Sequence, residues 1–131
     1  MIIPPATIQE TARWLLRAGG IPVPLYPGTK RPIGEAWEKK RPKEADVERE
    51  FVGNRNIGHL NGAPSQGRVD IDLDCGEARR AAHVLLPPTG LISGRESAPD
   101  SHWWYIVDQP PAKADESYDD PVGTNGHLLE L

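Results

Sequence analysis

A single cysteine, Cys75, stands in this chain of 131 residues, so no intramolecular disulfide can form and a thiolate-rich zinc site is excluded. It reads as a small buried or half-buried residue at a strand end rather than a nucleophile. Long apolar runs are missing too: none approaches the length needed to cross a bilayer, and the N-terminus lacks the basic and apolar regions of a secretory signal. The expected location is the cytoplasm, with no membrane partner. Excess positive charge is also absent. The formal net charge of -4 argues against gripping nucleic acid through bulk electrostatics. Hydrophobic residues make up a modest 37%, whereas 14 Pro and 13 Gly point to many short elements joined by turns rather than a helical bundle. The length fits one domain, 1–131, with one core of ordinary size and no internal repeat.

Charge is unevenly spread. Lys30, Arg31, Lys39, Lys40, Arg41 and Lys43 crowd an early segment, and Asp115, Glu116, Asp119 and Asp120 a late one. The early cluster is either a surface that tracks a phosphate backbone or a solvated face.

Thr7-Ile8-Gln9-Glu10 reads as a capping box that opens a helix, in which Ile8, Ala12, Leu15 and Leu16 keep helical spacing and Gly19-Gly20 supplies the stop. Ile21 to Tyr26 reads as a short strand that its prolines confine to an edge or an irregular pairing. Lys30 to Pro42 is expected to be an ordered surface loop anchored by Trp37. A short helix from about Glu44 to Phe51 follows, then a strand from Asn56 to Leu60. Gly76 to Leu86 has the helical spacing of Ala78, Ala82 and Leu85, stopped by Pro87-Pro88. Gly90 to Ser93 and His102 to Val107 are further apolar stretches. Asp108 to Asn125 is loop-like, and His127 to Leu131 carries a last strand signal.

The richest stretch is Val69-Asp70-Ile71-Asp72-Leu73-Asp74. Its period-two alternation predicts a strand with Asp70, Asp72 and Asp74 on one face and Val69, Ile71 and Leu73 turned to a core. Three carboxylates on one face repel one another unless a positive group lies among them. A divalent cation is the obvious candidate, because Mg²⁺ and Mn²⁺ favour one or two carboxylates together with water and substrate phosphates. The competing reading is an edge strand with a solvated acidic face that discourages sheet-to-sheet aggregation.

Downstream come Gly94-Arg95, Ser101-His102-Trp103-Trp104-Tyr105 and Leu128-Leu129-Glu130-Leu131. With the acidic strand, this order resembles the N-terminal domain of bifunctional DNA primase/polymerases, the Prim-Pol branch of the archaeo-eukaryotic primase superfamily. Pro27-Gly28-Thr29-Lys30-Arg31-Pro32 is similar to that family's Pro-Gly-x-Lys-Arg-Pro loop. Asn56-Ile57-Gly58 with Gly62 is similar to its Asn-Ile-Gly strand and turn, and Leu86-Pro87-Pro88-Thr89 to the segment leading into its second motif. The resemblance implies an α+β fold with a mixed or antiparallel sheet flanked by helices. It also implies three site motifs. Asp72-Leu73-Asp74 matches the first, with Asp70 an extra acid in the same register. Ser101 and His102 match the second, at a tighter spacing than its Ser-x-His, the histidine contacting the phosphates of the incoming nucleotide. Glu130 matches the third, a lone acid in a hydrophobic strand. In the family a glycine-rich stretch and another strand follow that acid, so the domain is expected to be incomplete at its C-terminus.

Chemistry agrees with this order. Nucleotidyl transfer needs a more acidic 3′-hydroxyl, a neutralised α-phosphate and a stabilised pyrophosphate, which two metal ions about 4 Å apart supply. Asp72, Asp74 and Glu130, with Asp70, would hold Mg²⁺ or Mn²⁺. His102 and Arg95 would bind the triphosphate, arginine bidentately. Lys30 and Arg31 meet phosphates or are merely solvated. Trp103, Trp104 and Tyr105 offer base stacking, although alternate residues of a strand turn to the core. His59, His83 and His127 lack ligand spacing and read as structural. The function implied is a DNA primase/polymerase of a plasmid, phage or integrated element. Its partners would be a DNA template or primer, nucleoside triphosphates and a helicase domain elsewhere in a longer protein. Two rivals remain: a metal-dependent nuclease or phosphatase, and a non-catalytic nucleic-acid-binding remnant of the fold.

Overall fold

The computed structural model describes residues 7–112, 117–123 and 126–130. The chain divides into two compact units, Met1–Gln66 and Gly67–Leu131. They differ in charge. The first contains ten Lys or Arg against seven Asp or Glu, a formal +3, and the second five against twelve, a formal -7. Both combine helices with small antiparallel sheets, so the fold is α+β.

In the first unit, helix α1 (Ile8–Arg17) begins at the expected capping box. The Glu10 N–H donates to Thr7 Oγ1 at 3.1 Å and the Thr7 N–H to Glu10 Oε2 at 2.9 Å, satisfying two otherwise orphaned donors. Gly19, at φ +78°, lets the chain turn out of the helix. Strand β1 (Ile21–Leu25) pairs antiparallel with β2 (Asn56–Leu60), Ile21 opposite Leu60 and Leu25 opposite Asn56. Pro22 and Pro24 lack the N–H that a strand with two neighbours would need, and a two-stranded sheet tolerates them. Buried Ser65 ties this sheet together: its hydroxyl accepts from the Ile21 N–H at 3.0 Å and donates to the Leu60 carbonyl.

The helix expected over residues 44–51 is realised in two pieces. A 3-10 turn over Glu44–Asp46 leads into a single α-turn, α2 (Val47–Glu50). The Asp46 side chain bonds back to the Lys43 N–H, so the acid caps the turn instead of extending a longer helix. Val47 and Phe51 are nevertheless fully buried with Ala12 of α1, and Ile8, Leu16 and Ile57 close this core. In the Lys30–Pro42 segment, Trp37 is half-buried and opens a 3-10 turn.

The second unit is a five-stranded, wholly antiparallel sheet in the order β4-β5-β3-β7-β6, formed by β3 (Arg68–Leu73), β4 (Leu91–Arg95), β5 (Ala98–Ile106), β6 (Ser117–Asp119) and β7 (His127–Glu130). The acidic strand β3 is therefore central, paired on both sides, and the edge-strand reading is corrected. Helix α3 (Gly76–Leu85) packs on the face bearing Leu73 and Trp103. Cys75, 6% exposed, caps it by accepting from the Ala78 N–H at 3.4 Å. Ala78, Ala82 and Leu86 follow an i, i+4, i+8 line onto the sheet. Leu85, expected on that line, stands about 60° around the helix from Ala82 and is 77% exposed. Strand β6 formed where loop was expected, because its partner β7 lies close by across a turn. Asp115, Glu116 and Leu131 lie outside the described residues.

Candidate nucleotide and metal site

Alternation along β3 turns Val69, Ile71 and Leu73 to the helix side and Asp70 and Asp72 to the other. Register then decides what lies beside the acids. Asp72 is directly opposite His102 of β5 on one side and Glu130 of β7 on the other. Ser93 of β4 continues this row beyond His102, and Ser117 of β6 beyond Glu130. In an antiparallel sheet such opposite residues share a face with their Cβ atoms about 5 Å apart. Three residues drawn from three separate segments thus form one row on the central sheet.

Asp70 stands two positions before Asp72, about 7 Å along the strand. Its Oδ2 is 2.9 Å from His102 Nδ1, and Asp72 Oδ1 is 3.7 Å from the same nitrogen. With Asp70 accepting, Nδ1 carries the hydrogen, and the ring's orientation and tautomer follow from that bond. The Asp70 side chain is 16% exposed, and its other oxygen, Oδ1, is buried with no hydrogen-bond partner among the described residues. A buried carboxylate oxygen without a donor is costly unless a cation or water completes it.

Other expected site residues fall elsewhere. Asp74 lies one residue beyond β3 with an exposed side chain, while its N–H donates to the Leu128 carbonyl at 3.1 Å. Ser101 is buried on the opposite face from His102, as strand alternation requires of its neighbour. Arg95 is exposed at the β4–β5 hairpin, opposite Ala98 and past an irregularity after Ser93, so it stands outside the row. Within that irregularity the backbones approach closely at Gly94, where a Cβ would meet the Ala98 carbonyl oxygen at 2.5 Å, so the position requires glycine. Lys30 and Arg31 belong to the first unit. Both are exposed, and the Arg31 guanidinium stacks over the Tyr26 ring at 5.1 Å. Their loop is held by the Tyr26 N–H donating to the Arg31 carbonyl, by Asn56 Nδ2 donating to the Thr29 carbonyl, and by the pairing of Leu25 with Pro32.

The aromatic run divides between the two faces. Trp103 is buried against α3 with its Nε1 donating to the Asp100 carbonyl. Trp104 lies on the acid face, half-buried, its ring centroid 6.3 Å from that of His102 and its Nε1 donating to Ser93 Oγ at 2.9 Å. Burial pushes the Tyr105 phenol above its ordinary value, and its hydroxyl donates to the Pro87 carbonyl at 2.8 Å. His59 bonds Asn61, His83 packs edge-on against Trp103, and His127 bonds Asp119. Sequence reasoning had no signal for Ser93, or for Asp70 as the partner of His102, because both depend on cross-strand register.

Among the described residues no three His, Cys, Asp or Glu side chains converge as a ready-made metal cage. The donors available to a hard cation on this face are the carboxylates of Asp72, Glu130 and Asp70. Among the described residues no helix is long and apolar enough to cross a membrane. Comparison with protein-family models, curated proteins and solved structures finds no match to this chain.

Proposed function

We propose that the Asp72 row is the catalytic face of a metal-dependent nucleotidyl-transfer site, and that the chain acts as a primase/polymerase. The observation that carries this reading is the register: Asp72 has His102 on one side and Glu130 on the other. These are the residues that the resemblance assigns to three different motifs, read from segments far apart in the chain.

The donor set fits Mg²⁺ or Mn²⁺ in a particular way. Such ions need only one or two carboxylates when waters and substrate phosphates complete the shell, so a closed protein cage is not required. Asp72 and Glu130, opposite each other, would hold the ion, and Asp70 Oδ1 is a further acceptor that has no donor among the described residues. When bound, the ion would neutralise charge on the transferring phosphate and acidify the attacking hydroxyl. The chain's own residues supply position. Asp70 holds the His102 ring through Nδ1 at 2.9 Å, so the histidine would meet a phosphate in one fixed orientation. The strands hold His102 and Asp72 side by side, so a triphosphate meeting the histidine meets the acids as well.

In the same reading, the first unit's exposed Lys30 and Arg31 meet nucleic-acid phosphates, supported by that unit's positive balance. DNA, nucleoside triphosphates and a helicase domain remain the proposed partners.

Calorimetric titration of dGTP into the full chain, with and without Mn²⁺, tests the site. Binding should require the metal and weaken at least about tenfold in Asp72→Asn, with the folded spectrum unchanged. Equal affinity in wild type and Asp72→Asn would overturn the reading. Salt-sensitive DNA binding insensitive to that change would favour the non-catalytic module, and phosphodiester hydrolysis without added nucleotide the nuclease.

A further inference from the structure

The row on the acid face ends at Ser93, a residue with no part in holding the metal or orienting the histidine. Strand β4 is the outermost strand on its side of the sheet, and Ser93 is the last of its residues before the register with β5 shifts. Its side chain shares the face of His102, directly opposite it with Cβ atoms about 5 Å apart, and is exposed. Trp104 stands two positions from His102 on the same strand, and its Nε1 donates to Ser93 Oγ at 2.9 Å. An indole nitrogen is a donor only, so this bond occupies a lone pair of the serine oxygen and leaves the hydroxyl hydrogen unspent. Among the described residues Ser93 makes no other side-chain hydrogen bond.

The indole bond fixes where Oγ stands, and an oxygen that accepts a hydrogen bond holds a more polarised O–H. Ser93 is thus a preset donor at the open end of the row. An ionised phosphate oxygen is the strongest acceptor that a nucleotide offers it. Position along the row selects which phosphate. Asp72, which with Glu130 would hold the metal at the transferring phosphate, lies two steps from Ser93, about 10 Å away. Only the far end of an extended polyphosphate covers that distance while its first phosphate stays at the acids. We propose that Ser93 is a substrate-binding residue whose hydroxyl donates to the terminal phosphate of a nucleoside triphosphate, so that the site distinguishes a triphosphate from a diphosphate. The proposal rests on the nucleotidyl-transfer reading, which places the transferring phosphate at Asp72.

The test is calorimetric titration of dGTP and dGDP, with Mn²⁺, into the full chain as wild type, Ser93→Ala, Ser93→Thr and Asp72→Asn. Wild type should prefer dGTP. Ser93→Ala should weaken dGTP about tenfold, as expected on losing a hydrogen bond to a charged group, and leave dGDP within about twofold. Ser93→Thr keeps the hydroxyl and suits a strand, so it should retain the preference. If the serine served only to hold Trp104, its loss would weaken both nucleotides alike, and that result would overturn the proposal. So would an unchanged dGTP affinity in Ser93→Ala, a loss in Ser93→Thr as deep as in Ser93→Ala, or the absence of any preference for dGTP in wild type. The two readings fail separately. Metal-dependent binding lost in Asp72→Asn but untouched in Ser93→Ala keeps the metal site and removes Ser93 from it. A preference for dGTP lost in Ser93→Ala, with equal affinity in wild type and Asp72→Asn, keeps the phosphate contact and removes the metal site.

Discussion

Replacing Asp70 by Ala separates the two acids of β3, because Asp70 makes the closer contact with His102 Nδ1, 2.9 Å against 3.7 Å for Asp72, which lies between His102 and Glu130. The bond lost is a 2.9 Å contact between a carboxylate 16% exposed and an imidazole 34% exposed. Hydrogen bonds to charged groups contribute roughly 1.5–3 kcal/mol, and the imidazole's exposure places this one at the lower end, near 1.5 kcal/mol. An opposing term comes from Asp70 Oδ1, buried without a partner among the described residues, whose desolvation cost the substitution removes. The net loss of unfolding stability is therefore expected at about 1 kcal/mol or less, a modest shift in the urea midpoint. The functional effect should be larger in proportion. Without the Asp70 acceptor the ring is no longer held in one tautomer, and metal-dependent dGTP affinity should fall about tenfold, equivalent to about 1.4 kcal/mol. Asp70→Asn retains an acceptor at nearly the same place and should recover most of both losses. Long-range ¹H–¹⁵N spectra report the His102 tautomer directly, alongside urea unfolding and calorimetry. An unchanged tautomer and unchanged nucleotide affinity in Asp70→Ala would refute the positioning role. A loss of affinity in Asp70→Asn as deep as in Asp72→Asn would instead make Asp70 a metal ligand first.

Two further outcomes follow from the fold. Gly67→Ala should destabilise the second unit by about 2 kcal/mol or more, since φ is +80° and a Cβ would meet the Val107 carbonyl oxygen at 2.1 Å where β3 begins; unchanged urea unfolding would contradict this. Asp46 is held below its ordinary value of 3.8, first by the Lys43 N–H and then by Arg49. A depressed folded pKa means the unfolded chain takes up the proton first. The contribution is complete above 3.8 and is lost as pH falls through the lower folded value, so Asp46→Asn should flatten the acid limb of first-unit stability; an identical limb in that variant would count against the cap.

Much of the local architecture was legible in residues alone. The Thr7 and Glu10 pair located the start of α1, the alternation from Val69 onward marked β3 and its acid face, and Asn56 to Leu60 was read with its observed bounds. Each is a short-range pattern whose cause lies within one turn or one strand. The short α2 was not legible, because competition between the Asp46 side chain and the helix backbone is settled by geometry that composition does not encode. Leu85 was misplaced for a similar reason: spacings of three and four both read as helical, and only the docked sheet selects between them.

The site divides along the same line. By itself the sequence determined that acids, a histidine and a lone glutamate would lie on strands, because residue type and period two are properties of the local chain. Tertiary structure decided that Asp72, His102 and Glu130 share one row, that Asp70 serves His102, that Ser101 turns away, and that Arg95 stands at a hairpin end. Antiparallel register joins residues 30 to 58 positions apart, and a shift of one residue would reverse every face. That choice depends on which apolar side chains bury against α3, a property of the assembled sheet and not of any segment in it.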